Sequence, residues 1–60
     1  MTQFNSFKVL ILTHNDEKMI ARLLGDLVDV TTVLIVDSYS DDNTVAICES
    51  FGRKVIQNKF

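Results

Sequence analysis

Val33-Leu34-Ile35-Val36-Asp37-Ser38-Tyr39-Ser40-Asp41-Asp42-Asn43-Thr44 decides how this chain is read. An unbroken apolar run ends in a carboxylate, a polar turn follows, and a helix start comes next. A strand buried on both faces of a parallel sheet has this continuous Val, Ile and Leu character. Ligands of such sheets sit beyond the carboxyl ends of the strands. The stretch therefore sets Asp37 at the mouth of a candidate binding site.

Working outward, Phe7 to Thr13 holds a second short apolar run, Val9-Leu10-Ile11-Leu12. Its length and β-branched content favour a strand. Thr13 to Glu17 then reads as a turn into a helix. Asn15 is the expected N-cap, with Asp16 and Glu17 in the first turn, where acids suit the helix dipole. Ile20, Leu23, Leu24, Leu27 and Val28 recur at the spacing of one apolar helical stripe. Gly25 within that stripe marks either a close helix contact or an early end.

After the central strand, expected over Thr32 to Val36, Ser40 is the expected N-cap of a second helix. Thr44, Ile47, Cys48 and Phe51 form its buried stripe, and Cys48 reads as a small core residue. Gly52 stands where a helix C-cap glycine belongs. Arg53 to Gln57 reads as a third, less apolar strand, and Met1 to Ser6 as a loose polar start. The order β-α-β-α-β predicts an α/β fold with three parallel strands in the order 3-2-1, joined by right-handed crossovers. It leaves the first strand at a sheet edge, which implies a missing neighbour there or self-association through that edge.

Composition narrows the function classes. The chain has 60 residues, 47% of them hydrophobic, and a single cysteine. It is one unit at most, with no internal disulfide and no paired-cysteine zinc pattern. A formal charge of −2 with scattered Lys and Arg gives no support for nucleic-acid binding. No apolar run approaches the roughly 20 residues of a membrane span. A cytoplasmic setting is the default, and peripheral association with the inner face of a membrane is compatible with it. Gly-rich phosphate loops are absent, which argues against dinucleotide dehydrogenases and P-loop enzymes. The acidic run from Asp37 fails the EF-hand template, because Tyr39, Asp42 and Cys48 occupy the required ligand, glycine and glutamate positions.

The two strand ends should lie about 5 Å apart at the top of the sheet. Together they would offer a ring (His14), acceptors (Asp16, Asp37), hydroxyls (Thr13, Ser38) and an amide (Asn15). That set suits a heteroaromatic base such as uracil, whose ring N–H needs an acceptor and whose carbonyls need donors. A phosphoacceptor receiver domain is one rival reading. It requires acids closing the first strand and an acceptor Asp closing the third, where this chain has Thr13-His14 and Gln57-Asn58. A non-catalytic α/β remnant or assembly module is another.

Val9 to Asp16 resembles the opening strand and Thr-x-Asn-acid turn of family 2 glycosyltransferases, and Val33 to Thr44 resembles their Asp-Ser-x-Ser-x-Asp-x-Thr segment. The likeness runs on through Thr44 to Cys48 and Phe51 to Val55, covering residues 8 to 60. The bacterial lipopolysaccharide-core or lipooligosaccharide β-glucosyltransferase-like branch is the nearest in pattern. The resemblance implies the N-terminal nucleotide-binding front of a GT-A, Rossmann-like domain, with residues 1–60 as a single partial domain. It implies a nucleotide-diphosphate sugar donor, of UDP type, and a glycan or lipid-linked acceptor in cell-envelope polysaccharide synthesis. Asp37 matches the carboxylate that binds uracil. Thr13 and Asp16 match the first-strand positions that line the family's nucleotide pocket, His14 falls where many members stack a Tyr on the base, and Asn15 matches the family Asn that shapes the turn. Ser38 completes the candidate set.

Tyr39 departs from the glycine usual in this branch, which puts the family turn in question because a bulky residue resists positive φ. Asp16 is one methylene shorter than the more common Glu. The divalent Mg or Mn implied by the family is held by an Asp-x-Asp motif that lies beyond residue 60, as does the catalytic base. No catalytic or metal residue is assigned within this chain, and the isolated chain is expected to transfer no sugar.

Overall fold

A computed structural model describes residues 8–60. The expectations for Met1 to Phe7 fall outside the described residues. Five elements follow in order: β1 (Val9–Thr13), α1 (Glu17–Asp26), β2 (Val33–Asp37), α2 (Thr44–Ser50) and β3 (Lys54–Gln57). The strands form one parallel sheet in the order β1-β2-β3. This is the α/β unit and strand order that the sequence predicts.

The pleat assigns the two faces of the sheet. Alternate residues of a strand point to opposite sides. Val9, Ile11, Val33, Ile35 and Val55 pack with Ile20 and Leu24 of α1 and with Ile47 and Cys48 of α2. The other face carries Leu10, Leu12, Val36 and Ile56, and a hollow of about 510 Å³ opens among them beside Phe60. β2 is buried at all five positions because it lies between the other two strands. Its unbroken apolar character follows from that central place.

The helix stripes hold in their middles and fail at their ends. Ile20 and Leu24 are buried, whereas Leu23 and Val28 are exposed. Val28 lies past the end of α1, and Val30 takes its place against the core. A Cβ at Gly25 would meet nothing. No close contact therefore requires glycine there, and the helix ends one residue later at Asp26. At the end of α2, Gly52 adopts φ +73°. Its N–H donates to Glu49 O at 2.9 Å and that of Arg53 to Cys48 O at 3.1 Å, which is the Schellman closure.

Arg53 also closes the other helix. Its Nη2 donates to Leu27 O at 2.6 Å and its Nη1 to Val30 O at 2.5 Å. One residue thus ends α2 with its backbone and holds the C-cap carbonyl of α1 with its side chain. Parallel register sets Thr13 beside Asp37, and Asp37 beside Gln57. All three strand tips open on the same end of the sheet.

Candidate functional site

Both expected N-caps are displaced, and the reason builds the site. The N-cap of α1 is Asp16 and that of α2 is Asn43, and neither makes a side-chain cap bond. Asn15, the expected cap, instead takes a left-handed backbone at φ +52°. The free N–H groups at the start of α1 are met from across the cleft. Asp16 N donates to Thr44 Oγ1 at 2.9 Å, and Glu17 N to Asp42 Oδ2 at 3.3 Å.

Ser40 is likewise three residues ahead of the cap it was expected to form. Its hydroxyl donates to Asp37 Oδ1 at 2.5 Å and accepts from Asn15 N at 2.8 Å. Thr44 repeats the arrangement. Its hydroxyl donates to Asp42 Oδ1 at 2.5 Å while accepting from Asp16 N. Two parallel relays, each running carboxylate, hydroxyl, opposite N–H, join the turn after β2 to the turn after β1. Asn15 returns the connection, its Oδ1 accepting from Asp41 N at 2.7 Å.

Asp37 lies at the centre of this junction. The sequence alone sets it at a site mouth, yet in the fold it is 0% exposed. Oδ1 accepts from Thr13 Oγ1 at 2.6 Å as well as from Ser40, and Oδ2 accepts from Ser40 N at 2.9 Å. Burial pushes its pKa up, but the hydrogen bonds from Ser40 and Thr13, with help from Gln57, outweigh burial and hold it at about 2. The carboxylate is ionised, satisfied and turned inward. At Asp42 the Thr44 hydroxyl bond is the largest influence, and it holds that carboxyl below its ordinary value. Burial and the nearby Asp37 charge push the Cys48 thiol up to about 11, so it is an inert core group.

The groups open to solvent form a rim around this interior. His14, Asn15 and Asp16 are exposed, and Ser38 is half-buried. Thr13, like Asp37, is buried. The structure thus gathers all six candidate residues at one end of the sheet but divides them into two buried and four accessible. His14 Nδ1 lies 2.7 Å from Ser38 O. A carbonyl only accepts, so Nδ1 is the donor in this contact, and Nε2 lies 3.5 Å from Asn15 Nδ2. This bond spans the two tips and fixes the plane of the ring. Asp16 folds back to accept from His14 N at 3.0 Å.

Tyr39 keeps the turn that its bulk put in question. It takes φ +49° and its N–H donates to Gln57 Oε1 at 2.8 Å. Three residues that sequence reasoning left out of the site, Ser40, Asp42 and Thr44, supply its internal bonds. The available signal was that Asp37 and Asp42 are each followed within three positions by a hydroxyl residue, Ser40 and Thr44.

Among the described residues no three His, Cys, Asp or Glu side chains converge on a point that could hold a metal ion. Asp37 and Asp42 already spend their oxygens on hydroxyls and N–H groups. These residues do not fit the divalent ion that the family resemblance implies. The receiver pattern also fails here, since β1 ends in Thr13 and β3 in Gln57.

Residues 8–60 match the profile described as Glycosyl transferase family 2. An uncharacterized glycosyltransferase of Rickettsia conorii is 43% identical over 47 residues, covering 77% of this chain and 17% of that protein. One from Rickettsia felis is 45% identical over the same length, with the same coverage. The chain therefore spans about a sixth of the length of these relatives. Among solved structures, M. tuberculosis glucosyl-3-phosphoglycerate synthase superposes with a TM-score of 0.68 at 28% identity. The match covers 82% of this chain and 20% of that one.

Proposed function

This chain belongs to glycosyl transferase family 2, and from that premise we propose that its two strand tips recognise the nucleotide of a sugar donor. The observation that carries the reading is the junction itself. Two turns separated by more than twenty residues are tied into one surface, with His14, Asn15, Asp16 and Ser38 on its accessible rim.

The division of labour follows from burial. Asp37 and Thr13 hold the tips together, so Asp37 serves recognition by fixing the cleft. The ring of His14, held by Ser38 O, offers a face on which a base stacks. The Ser38 hydroxyl and the exposed turn of Asn15 and Asp16 meet the hydrogen-bonding edge of the base and its ribose. The donor is a UDP-sugar, and the acceptor is a glycan or lipid-linked sugar. The lipopolysaccharide-core β-glucosyltransferase-like branch, a cytoplasmic setting and peripheral placement at the inner membrane face belong to the same proposal. A metal neutralises the leaving diphosphate in such transferases, and a base activates the acceptor hydroxyl. No residue described here fills either role, so the 60-residue chain alone transfers no sugar.

Saturation-transfer NMR with uridine diphosphate tests the reading. Transfer to the uracil ring protons is expected, weaker in His14→Ala than in the parent chain, with both chains equally folded by circular dichroism. Absence of transfer at millimolar ligand, or transfer that His14→Ala leaves intact, contradicts it.

A further inference from the structure

Tyr39 holds a backbone conformation that bulky residues rarely adopt, at φ +49°. Asn15, across the cleft, also has a positive φ, but its short polar side chain suits that backbone. A tyrosine has no such local reason. A strained residue of this kind persists only where its surroundings over-determine it, and such residues cluster at sites of function. Here the surroundings are the ends of all three strands. Ser38 N donates to Thr13 O of β1 at 2.9 Å. Tyr39 N donates to Gln57 Oε1 of β3 at 2.8 Å, and Ser40 N to Asp37 Oδ2 of β2 at 2.9 Å. Three successive N–H groups thus pin one turn. Burial does not offset the strain, because Tyr39 is 60% exposed.

The turn also ties Tyr39 to His14. Ser38 O, which accepts from His14 Nδ1 at 2.7 Å, belongs to the same peptide group as Tyr39 N. Standard peptide dimensions set that oxygen about 2.8 Å from Tyr39 Cα. His14 Nδ1 is therefore no more than about 5.5 Å from Tyr39 Cα. The two rings are rooted within reach of a single base.

Resting on the reading of the strand tips as a nucleotide site, we propose that Tyr39 is a second stacking residue, and that the base is held between its ring and that of His14. A planar heteroaromatic base has two π faces, and His14 alone covers one of them. The second ring completes the slot. Glycine would take the same turn without strain but would bring no ring. The pinned backbone fixes the root of the Tyr39 side chain before the ligand arrives, and a tyrosine has only two side-chain torsions left to settle. Stacking is tolerant of base identity. Tyr39 therefore adds affinity, and the polar groups of the rim choose the base.

Tyr39 is the single tyrosine of the chain, so its ring protons are read without ambiguity. With millimolar uridine diphosphate, intermolecular NOEs are expected from uracil H5 and H6 to the Tyr39 ring. Tyr39→Gly is expected to weaken the dissociation constant about tenfold, while its urea midpoint rises as the strain is relieved. Tyr39→Phe, which keeps the ring, is expected to restore the affinity. A residue with only a structural role would move stability and affinity in the same direction. The NOEs are measured on the parent chain and decide the matter even if a variant fails to fold. Nucleotide-induced shifts at His14, Asn15, Asp16 and Ser38 without NOEs to Tyr39 overturn the proposal and leave the strand-tip reading standing. So does a Tyr39→Gly variant that binds as tightly as the parent. A parent chain that binds no uridine diphosphate overturns both.

Discussion

The interior and the rim of the polar junction draw on overlapping residue types and sit within a few ångströms of each other. Thr13, Asp37 and Thr44 are buried, and each is bonded to another part of the chain. His14, Asn15 and Asp16 on the rim are exposed. Asp37 and Asp16 show the difference most plainly. Asp37 is the last residue of β2, and Asp16 lies in the turn after β1. Asp37 spends its charge on hydroxyls and an N–H within the fold, whereas Asp16 keeps a surface open to water. The group that stands out chemically in a sequence motif is here the one holding the site together, and its neighbours face the solvent. Substitutions in the interior should therefore cost stability, and those on the rim should cost binding.

The largest expected effect is that of Asp37→Ala. It strips the acceptor from two hydroxyls and one N–H in a dry place, a loss of about 3–5 kcal/mol on the scale of a broken buried charged network. A chain this short has little stability to spare. Far-UV circular dichroism should show the variant largely unfolded. A folded Asp37→Ala variant with an unchanged urea midpoint would break the comparison.

Acid should produce the next effect. The folded pKa of Asp37 is depressed from 3.8 to about 2. The stability it contributes is present in full above the unfolded value and is lost as pH falls from about 4 through 2. By linkage this amounts to about 2 kcal/mol. Asp42 acts in the same direction. Urea midpoints measured from pH 6 to pH 2 should fall mainly below pH 4.

Thr44→Val keeps the shape but removes the hydroxyl between Asp42 and the N–H of Asp16. A loss of about 1–2 kcal/mol is expected, together with broadened amide signals in the turn after β1. Tyr39→Gly should move the other way. It relieves a left-handed backbone at a non-glycine residue and should stabilise the chain by up to about 1 kcal/mol. The smallest stability effect belongs to His14→Ala on the rim, within about 0.5 kcal/mol.

The architecture was legible because it follows from short-range pattern. Apolar runs of four or five residues alternate with helical stripes, and a glycine closes α2 at Gly52. The core side of each helix could be read from spacing as far as Ile20, Leu24, Thr44 and Cys48. The start of α1 was misplaced because its N–H groups are met from Thr44, the first residue of α2, and from Asp42 in the turn before it, more than twenty residues away. At α2 the N–H of Thr44 is met by Asp42 Oδ1 at 2.9 Å, two residues earlier, and Ser40 turns to Asp37 instead. Asp37 is enclosed by Thr13 from β1 and Ser40 from its own turn. A sequence shows that a carboxylate ends a strand. It does not show that three donors will reach it, one from the end of β1 and two from the turn after β2. Gly25 illustrates the other limit, since close packing and chain ending both fit a glycine in that place until the neighbouring space is known.

The most direct test is a ¹H–¹⁵N titration of the parent chain with uridine diphosphate, read residue by residue. The amides of His14, Asn15, Asp16 and Ser38 should shift together and saturate with one dissociation constant, while those of Leu10 and Ile56 beside the apolar hollow stay in place. Shifts confined to that hollow, or none at millimolar nucleotide, would contradict the assignment of recognition to the joined strand tips.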